Sequence, residues 1–122
     1  MKTILVVDDS RIMRNIIKNI FTELKIPCEF LEAPDGKQAI QILETNNVDL
    51  VFLDWNMPEM DGMEFLRKAR SIPGCANLPI IMITSEAARY NVVEALQNGA
   101  TDYIVKPVSE KVFKEKVSEI VF

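Results

Sequence analysis

Four short apolar runs in this chain each end on residues that could do chemistry. Ile4-Leu5-Val6-Val7 runs into Asp8 and Asp9, and Leu50-Val51-Phe52-Leu53 into Asp54. Ile80-Ile81-Met82-Ile83 runs into Thr84, and Tyr103-Ile104-Val105 into Lys106. An apolar run closed by a polar residue is the pattern of a buried strand reaching its carboxyl end, where open α/β sheets place their ligand crevices. If these ends share one edge, three carboxylates meet an ammonium and a hydroxyl. Carboxylates gathered in this way repel one another unless a cation or a shared proton relieves them. The set suits acyl-phosphate chemistry, with a carboxylate as nucleophile toward phosphorus. A divalent metal would neutralise phosphoryl oxygens, and the ammonium and hydroxyl would contact the transferred group. An ionised carboxylate needs no general base, which agrees with a chain that contains no histidine. That lack also removes the commonest transition-metal ligand and excludes a phosphohistidine on this chain, so any metal here is a hard, oxygen-liganded ion such as Mg²⁺.

Positioning these residues takes five strands and five helices in alternation. The strand candidates are Thr3–Val7, Glu29–Glu32, Asp49–Leu53, Pro79–Ile83 and Asp102–Val105. The first, third and fourth are almost continuously apolar, as strands buried on both faces are. The second is short and polar at its ends, which suits a place nearer the sheet edge. Ser10 reads as the N-cap of a first helix with the stripe Ile12, Met13, Ile16, Ile17, Ile20, Phe21 and Leu24, stopped by Pro27. Asp35-Gly36 opens a second helix, with Ala39, Ile40 and Leu43 apolar. Asp61-Gly62 precedes a third, with Phe65, Leu66 and Ala69, closed by Ile72-Pro73-Gly74. A fourth runs from about Ala87 to Gln97, with Val92, Val93 and Leu96 inward and Gly99 as its C′ residue. Ser109 caps a fifth that carries Val112, Phe113, Val117, Ile120 and Val121. Such a (βα)5 pattern implies a doubly wound, parallel five-stranded sheet with right-handed crossovers. The flavodoxin-like order 2-1-3-4-5 sets the first and third strands side by side, with Asp8, Asp9 and Asp54 at the switch point.

Composition narrows the function classes. With 122 residues and 48% apolar content, the chain reads as one domain, residues 1–122, with a real core. No apolar run approaches a membrane span and no secretory leader is visible, so no membrane insertion and a cytoplasmic location are expected. A net charge of −4 argues against direct nucleic-acid binding. Cys28 and Cys75 read as ordinary reduced thiols. The charged set Glu110, Lys111, Lys114, Glu115, Lys116 and Glu119 reads as a solvated helix face or the border of a partner surface.

The motifs in order are Val6-Val7-Asp8-Asp9-Ser10, Asp54 through Gly62, Ile83-Thr84-Ser85, Gly99-Ala100-Thr101-Asp102-Tyr103 and Val105-Lys106-Pro107. On these the whole chain resembles response-regulator receiver domains, most closely those of single-domain chemotaxis regulators. The resemblance implies a two-component phosphorelay switch with self-catalysed phosphotransfer and autodephosphorylation. In it Asp54 matches the phospho-acceptor, Asp9 a direct Mg²⁺ ligand, Asp8 a ligand through water, and Asn56 the position whose carbonyl completes the metal site. Mn²⁺ is the alternative ion. Lys106 matches the lysine that pairs with the phosphoryl group, through an expected cis Lys106–Pro107 bond. Thr84 matches the switch hydroxyl and Tyr103 the aromatic that follows it, while Asn56 and Glu86 match positions that tune dephosphorylation. The implied partners are a sensor histidine kinase (CheA-like), a target on the face made by the fourth helix, fifth strand and fifth helix (a flagellar motor switch in chemotaxis), and a phosphatase. Trp55 is expected to be partly exposed beside the pocket.

Three alternatives bear on the same residues. The chain could be a receiver unit of a longer transcription factor or effector enzyme. A haloacid-dehalogenase-type phosphatase also uses an Asp nucleophile, but needs an acid where this chain has Asn56. A flavin-mononucleotide binder shares the topology, but Asp8-Asp9-Ser10-Arg11 would repel a phosphate in the absence of a metal.

Overall fold

The computed structural model describes residues 1–55, 57, 60–85 and 89–120. The elements alternate as expected: β1 (Lys2–Val7), α1 (Arg11–Glu23), β2 (Cys28–Ala33), α2 (Gly36–Thr45), β3 (Leu50–Asp54), α3 (Gly62–Ser71), β4 (Ile80–Thr84), α4 (Arg89–Gln97), β5 (Asp102–Val105) and α5 (Glu110–Ile120). The strands form one parallel sheet in the order β2-β1-β3-β4-β5. The polar-ended β2 is an edge strand, and the continuously apolar β3 and β4 are central and buried along their whole length. Among the described residues no helix is long and apolar enough to cross a membrane.

Strand alternation divides the core into two layers. Leu5, Val7, Val51, Leu53, Ile80 and Met82 meet residues of α2, α3 and α4 on one face. Ile4, Val6, Leu50, Phe52, Ile81, Ile83 and Ile104 meet α1 and α5 on the other. There Phe52 stacks on Phe113 with centroids 4.9 Å apart, and Phe21 packs edge-on against both.

The helix starts follow the sequence. Ser10, Asp35 and Asp61 accept hydrogen bonds from the backbone N–H groups of Met13, Gln38 and Glu64, satisfying donors that a helix leaves unpaired. Gly99 lies at φ +114° as the C′ residue of α4: its N–H reaches the Leu96 carbonyl and the Ala100 N–H reaches Ala95.

Two expectations, the Pro27 stop and the inward face of α4, need correction, and the stripes of α1 and α5 are buried only in part. α1 ends at Glu23, ahead of Pro27: Lys25 turns left-handed at φ 56°, and the N–H groups of Lys25 and Ile26 bond the carbonyls of Thr22 and Phe21. This motif closes the helix before proline can. In the stripe of that helix Ile17, Ile20 and Phe21 are buried, whereas Ile12 and Ile16 are exposed, because only one shoulder of the stripe faces the sheet. On α4, among the described side chains, the small Ala95 is buried, while Val93 and Leu96 are exposed. On α5, Phe113 and Val117 are buried and Val112 is exposed. The expected helix start at Ala87 and the fifth-helix residue Val121 lie outside the described residues.

Candidate functional site

The carboxyl ends of β1, β3, β4 and β5 gather the sequence candidates. Among the described residues, carboxylate oxygens of Asp8, Asp9 and Asp54 lie within 4.8 Å of one another. Asp8 and Asp54 are buried and Asp9 is exposed, so the cluster opens to solvent on the Asp9 side. Lys106 reaches the same cluster, with Nζ 3.4 Å from Asp54 Oδ1. The Lys106 main chain is itself tied to β4, its N–H donating to the Thr84 carbonyl at 2.8 Å. The Lys106–Pro107 bond is cis, as expected.

Asp8 is held tightly. Its N–H donates to the Ala33 carbonyl at 3.0 Å, and its Oδ1 accepts from the Ser10 N–H at 2.8 Å. Its Oδ2 is buried with no hydrogen-bond partner among the described residues. Burial pushes the Asp8 carboxyl up to about 6, and the charges of Asp54 and Asp9 add to the rise while the Ser10 N–H and Lys106 oppose it. An orphaned buried carboxylate oxygen beside two further carboxylates is a ready set of hard oxygen donors for Mg²⁺ or Mn²⁺.

Thr84 is fully buried and continues the alternation of Ile80 and Met82, the α2–α4 side of the sheet. Tyr103 packs on that same side and pairs in register with Met82. The two switch candidates thus share a face that Asp54, in step with Leu50 and Phe52, does not. Trp55 is half-buried and follows Asp54 directly, yet its ring belongs to the α2–α4 layer, where it lies over Gly62. Asn56 and Glu86 lie outside the described residues.

Spacing did not single out three further polar residues, of which Arg14 touches the acid edge while Arg70 and Lys116 bind at the amino ends of β4 and β5. Arg14 donates to the Asp8 carbonyl and pairs with Glu32 of β2. Arg70 donates to the carbonyls of Gly99, Cys75 and Leu78, and burial holds its guanidinium below its ordinary range. Lys116 is no merely solvated residue: its ammonium is 2.9 Å from Asp102 and lies 5.0 Å over the Tyr103 ring. By contrast, Lys114 and Glu110 form an exposed i, i+4 pair. The signals for Arg14, Arg70 and Lys116 are long-range partners, many of them main-chain carbonyls, which leave no local pattern.

Comparison with known proteins bears on this arrangement. The response regulator receiver domain family matches residues 4–118. The chemotaxis protein CheY of Pseudomonas aeruginosa is 43% identical over 96% of this chain and 94% of its own length. A CheY homolog of Campylobacter jejuni is 44% identical over 96% of this chain and 90% of its own length. Among solved structures, the Vibrio cholerae chemotaxis regulator CheY4 superposes with a TM-score of 0.90 at 28% identity, covering 99% of both chains. The receiver domain of a Pseudomonas aeruginosa sensor histidine kinase superposes at 0.86 with 25% identity, covering 98% of this chain and 96% of its own. That domain carries a magnesium ion in its active site cleft. With its fold, its edge of acids and its relatives in agreement, the chain belongs to the response-regulator receiver family and is closely related to the CheY chemotaxis regulators.

Proposed function

We propose that residues 1–122 act as one receiver unit in the cytoplasm, accepting a phosphoryl group on Asp54 from a histidine kinase of the CheA type. The observation that carries this is the buried Asp54 carboxylate, gathered with Asp8 and Asp9 and 3.4 Å from the Lys106 ammonium. An Asp54 oxygen attacks phosphorus, the bond from phosphorus to the donor imidazole nitrogen breaks, and the electron pair leaves with the imidazole. Lys106 offsets charge on the phosphoryl oxygens and on Asp54. Asp8, Asp9 and Asp54, with the main chain at Asn56, would hold Mg²⁺, which when bound neutralises phosphoryl oxygens and lowers the mutual repulsion of the acids. Hydrolysis of the acyl phosphate resets the switch, with Asn56 and Glu86 setting its rate and a separate phosphatase accelerating it.

Thr84 and Tyr103 relay the charge change to the α4–β5–α5 face. Their shared side of the sheet supports that coupling. The reading of that face as the surface offered to a flagellar motor switch rests on the CheY relatives. Titration with beryllofluoride and Mg²⁺ tests it: Trp55 fluorescence should change in the wild-type chain and not in Asp54→Asn. An unchanged signal in both would count against the switch.

A further inference from the structure

The acid turn is held from outside by a charge-paired arginine. Arg14 Nη1 donates to the Asp8 carbonyl at 2.6 Å, and Arg14 Nε donates to Glu32 Oε1 at 3.0 Å. The other Glu32 oxygen takes the Lys18 ammonium at 3.2 Å. Arg14 and Lys18, one turn apart on α1, converge on a carboxylate of β2 that pairs in register with Val6. Burial alone would raise the Glu32 carboxyl; the hydrogen bonds and charges of Arg14 and Lys18 outweigh it and hold the group ionised below its usual range. The carbonyl that Arg14 grips belongs to the peptide joining Asp8 to Asp9. Fixing that plane restrains the two backbone torsions that set how the two carboxylates face Asp54.

We propose that Arg14 is a positioning residue for the divalent cation: it clamps the Asp8–Asp9 peptide from α1, while Glu32 orients its guanidinium and cancels its charge. The inference rests on the reading of Asp8, Asp9 and Asp54 as a cation site. Two opposing effects make it decidable. A guanidinium near three carboxylates weakens cation binding by repulsion, so charge alone predicts tighter binding when Arg14 is removed. Positioning predicts the reverse, since losing a group that orients metal ligands lowers affinity by tenfold or more.

The test counts free Mn²⁺ by electron paramagnetic resonance during titration of the full chain, with Mg²⁺ as competitor. Arg14→Ala should raise the half-saturating Mn²⁺ about tenfold. Arg14→Lys should raise it comparably, because an ammonium keeps the charge but lacks the planar fork that spans the carbonyl and Glu32. Glu32→Gln should raise it less, as Arg14 stays in place with its charge uncancelled. Labelling by acetyl phosphate should return to the wild-type rate once Mn²⁺ saturates the variants. Variants that bind Mn²⁺ as tightly as wild type, or tighter, overturn the proposal. So does labelling that stays low at saturation, which would place Arg14 in the transfer step itself. Where Arg14→Ala does not fold, Arg14→Lys decides. A wild-type chain that binds no Mn²⁺ would defeat the cation site itself, a result distinct from the failure of Arg14.

Discussion

Asp8 is the residue at which stability and function pull apart. Its buried carboxyl, pushed up to about 6, binds its proton more tightly in the folded chain than in the unfolded one. The stability it contributes is therefore present at acid pH and lost as pH rises from about 4 through 6. Above that range Asp8 of the folded metal-free chain is ionised beside two further carboxyl groups. Asp8→Asn keeps the acceptor for the Ser10 N–H and removes the charge. It should raise the unfolding free energy of the metal-free protein at pH 7 by about 1–3 kcal/mol while weakening Mg²⁺ binding. Thermal unfolding with and without Mg²⁺ measures both effects, and a destabilised Asp8→Asn would show that the cluster costs nothing. Protons and cation compete for the same oxygens, so Mg²⁺ affinity should fall below about pH 6. At this scale the sequence was readable wherever a polar side chain directly ended an apolar run, as at Asp8, Asp54, Thr84 and Lys106. Arg14 and Arg70 escaped because main-chain carbonyls, six or more residues away, are among their partners.

At the scale of elements, caps and glycines were more legible than buried faces. Ser10, Asp35, Asp61 and Gly99 act where local chemistry places them, since capping needs only a short polar side chain or a left-handed residue. The Lys25 turn gave no such signal, because lysine is a poor left-handed residue and the motif there is fixed by Phe21 and Ile26 packing into the core. Helical stripes on α1 and α4 showed a direction but not which shoulder the sheet covers, hence the exposed Ile12, Ile16, Val93 and Leu96. Gly62 ties β3 to α3: a Cβ there would collide with the six-membered ring of Trp55. Gly62→Ala should destabilise the fold by about 1–3 kcal/mol and shift Trp55 fluorescence in the resting protein. An unchanged melting temperature would mean that the ring moves aside freely.

Across the whole molecule the alternation of apolar and polar runs implied one parallel sheet, and the 2-1-3-4-5 order follows from the switch point that the acids require. The two layers then divide the labour. The α1/α5 side carries Phe21, Phe52 and Phe113 in mutual contact, beneath the alternation that ends on Asp54. The α2–α4 side carries Thr84, Tyr103 and Trp55. Phe113→Ala should cost about 3–5 kcal/mol in denaturant unfolding, since it opens a cavity against two rings. A loss under about 1 kcal/mol would mean that the layer closes around the gap.

The central claim is that Asp54 carries the phosphoryl group. Borohydride reduces an acyl phosphate to the alcohol, so brief exposure to acetyl phosphate and Mg²⁺, followed by borohydride and peptide mass spectrometry, reads the acceptor directly. The expected result is homoserine in place of Asp54, dependent on Mg²⁺ and absent from Asp54→Asn. Homoserine at Asp8 or Asp9, or at no position in a chain that binds Mg²⁺, would contradict it.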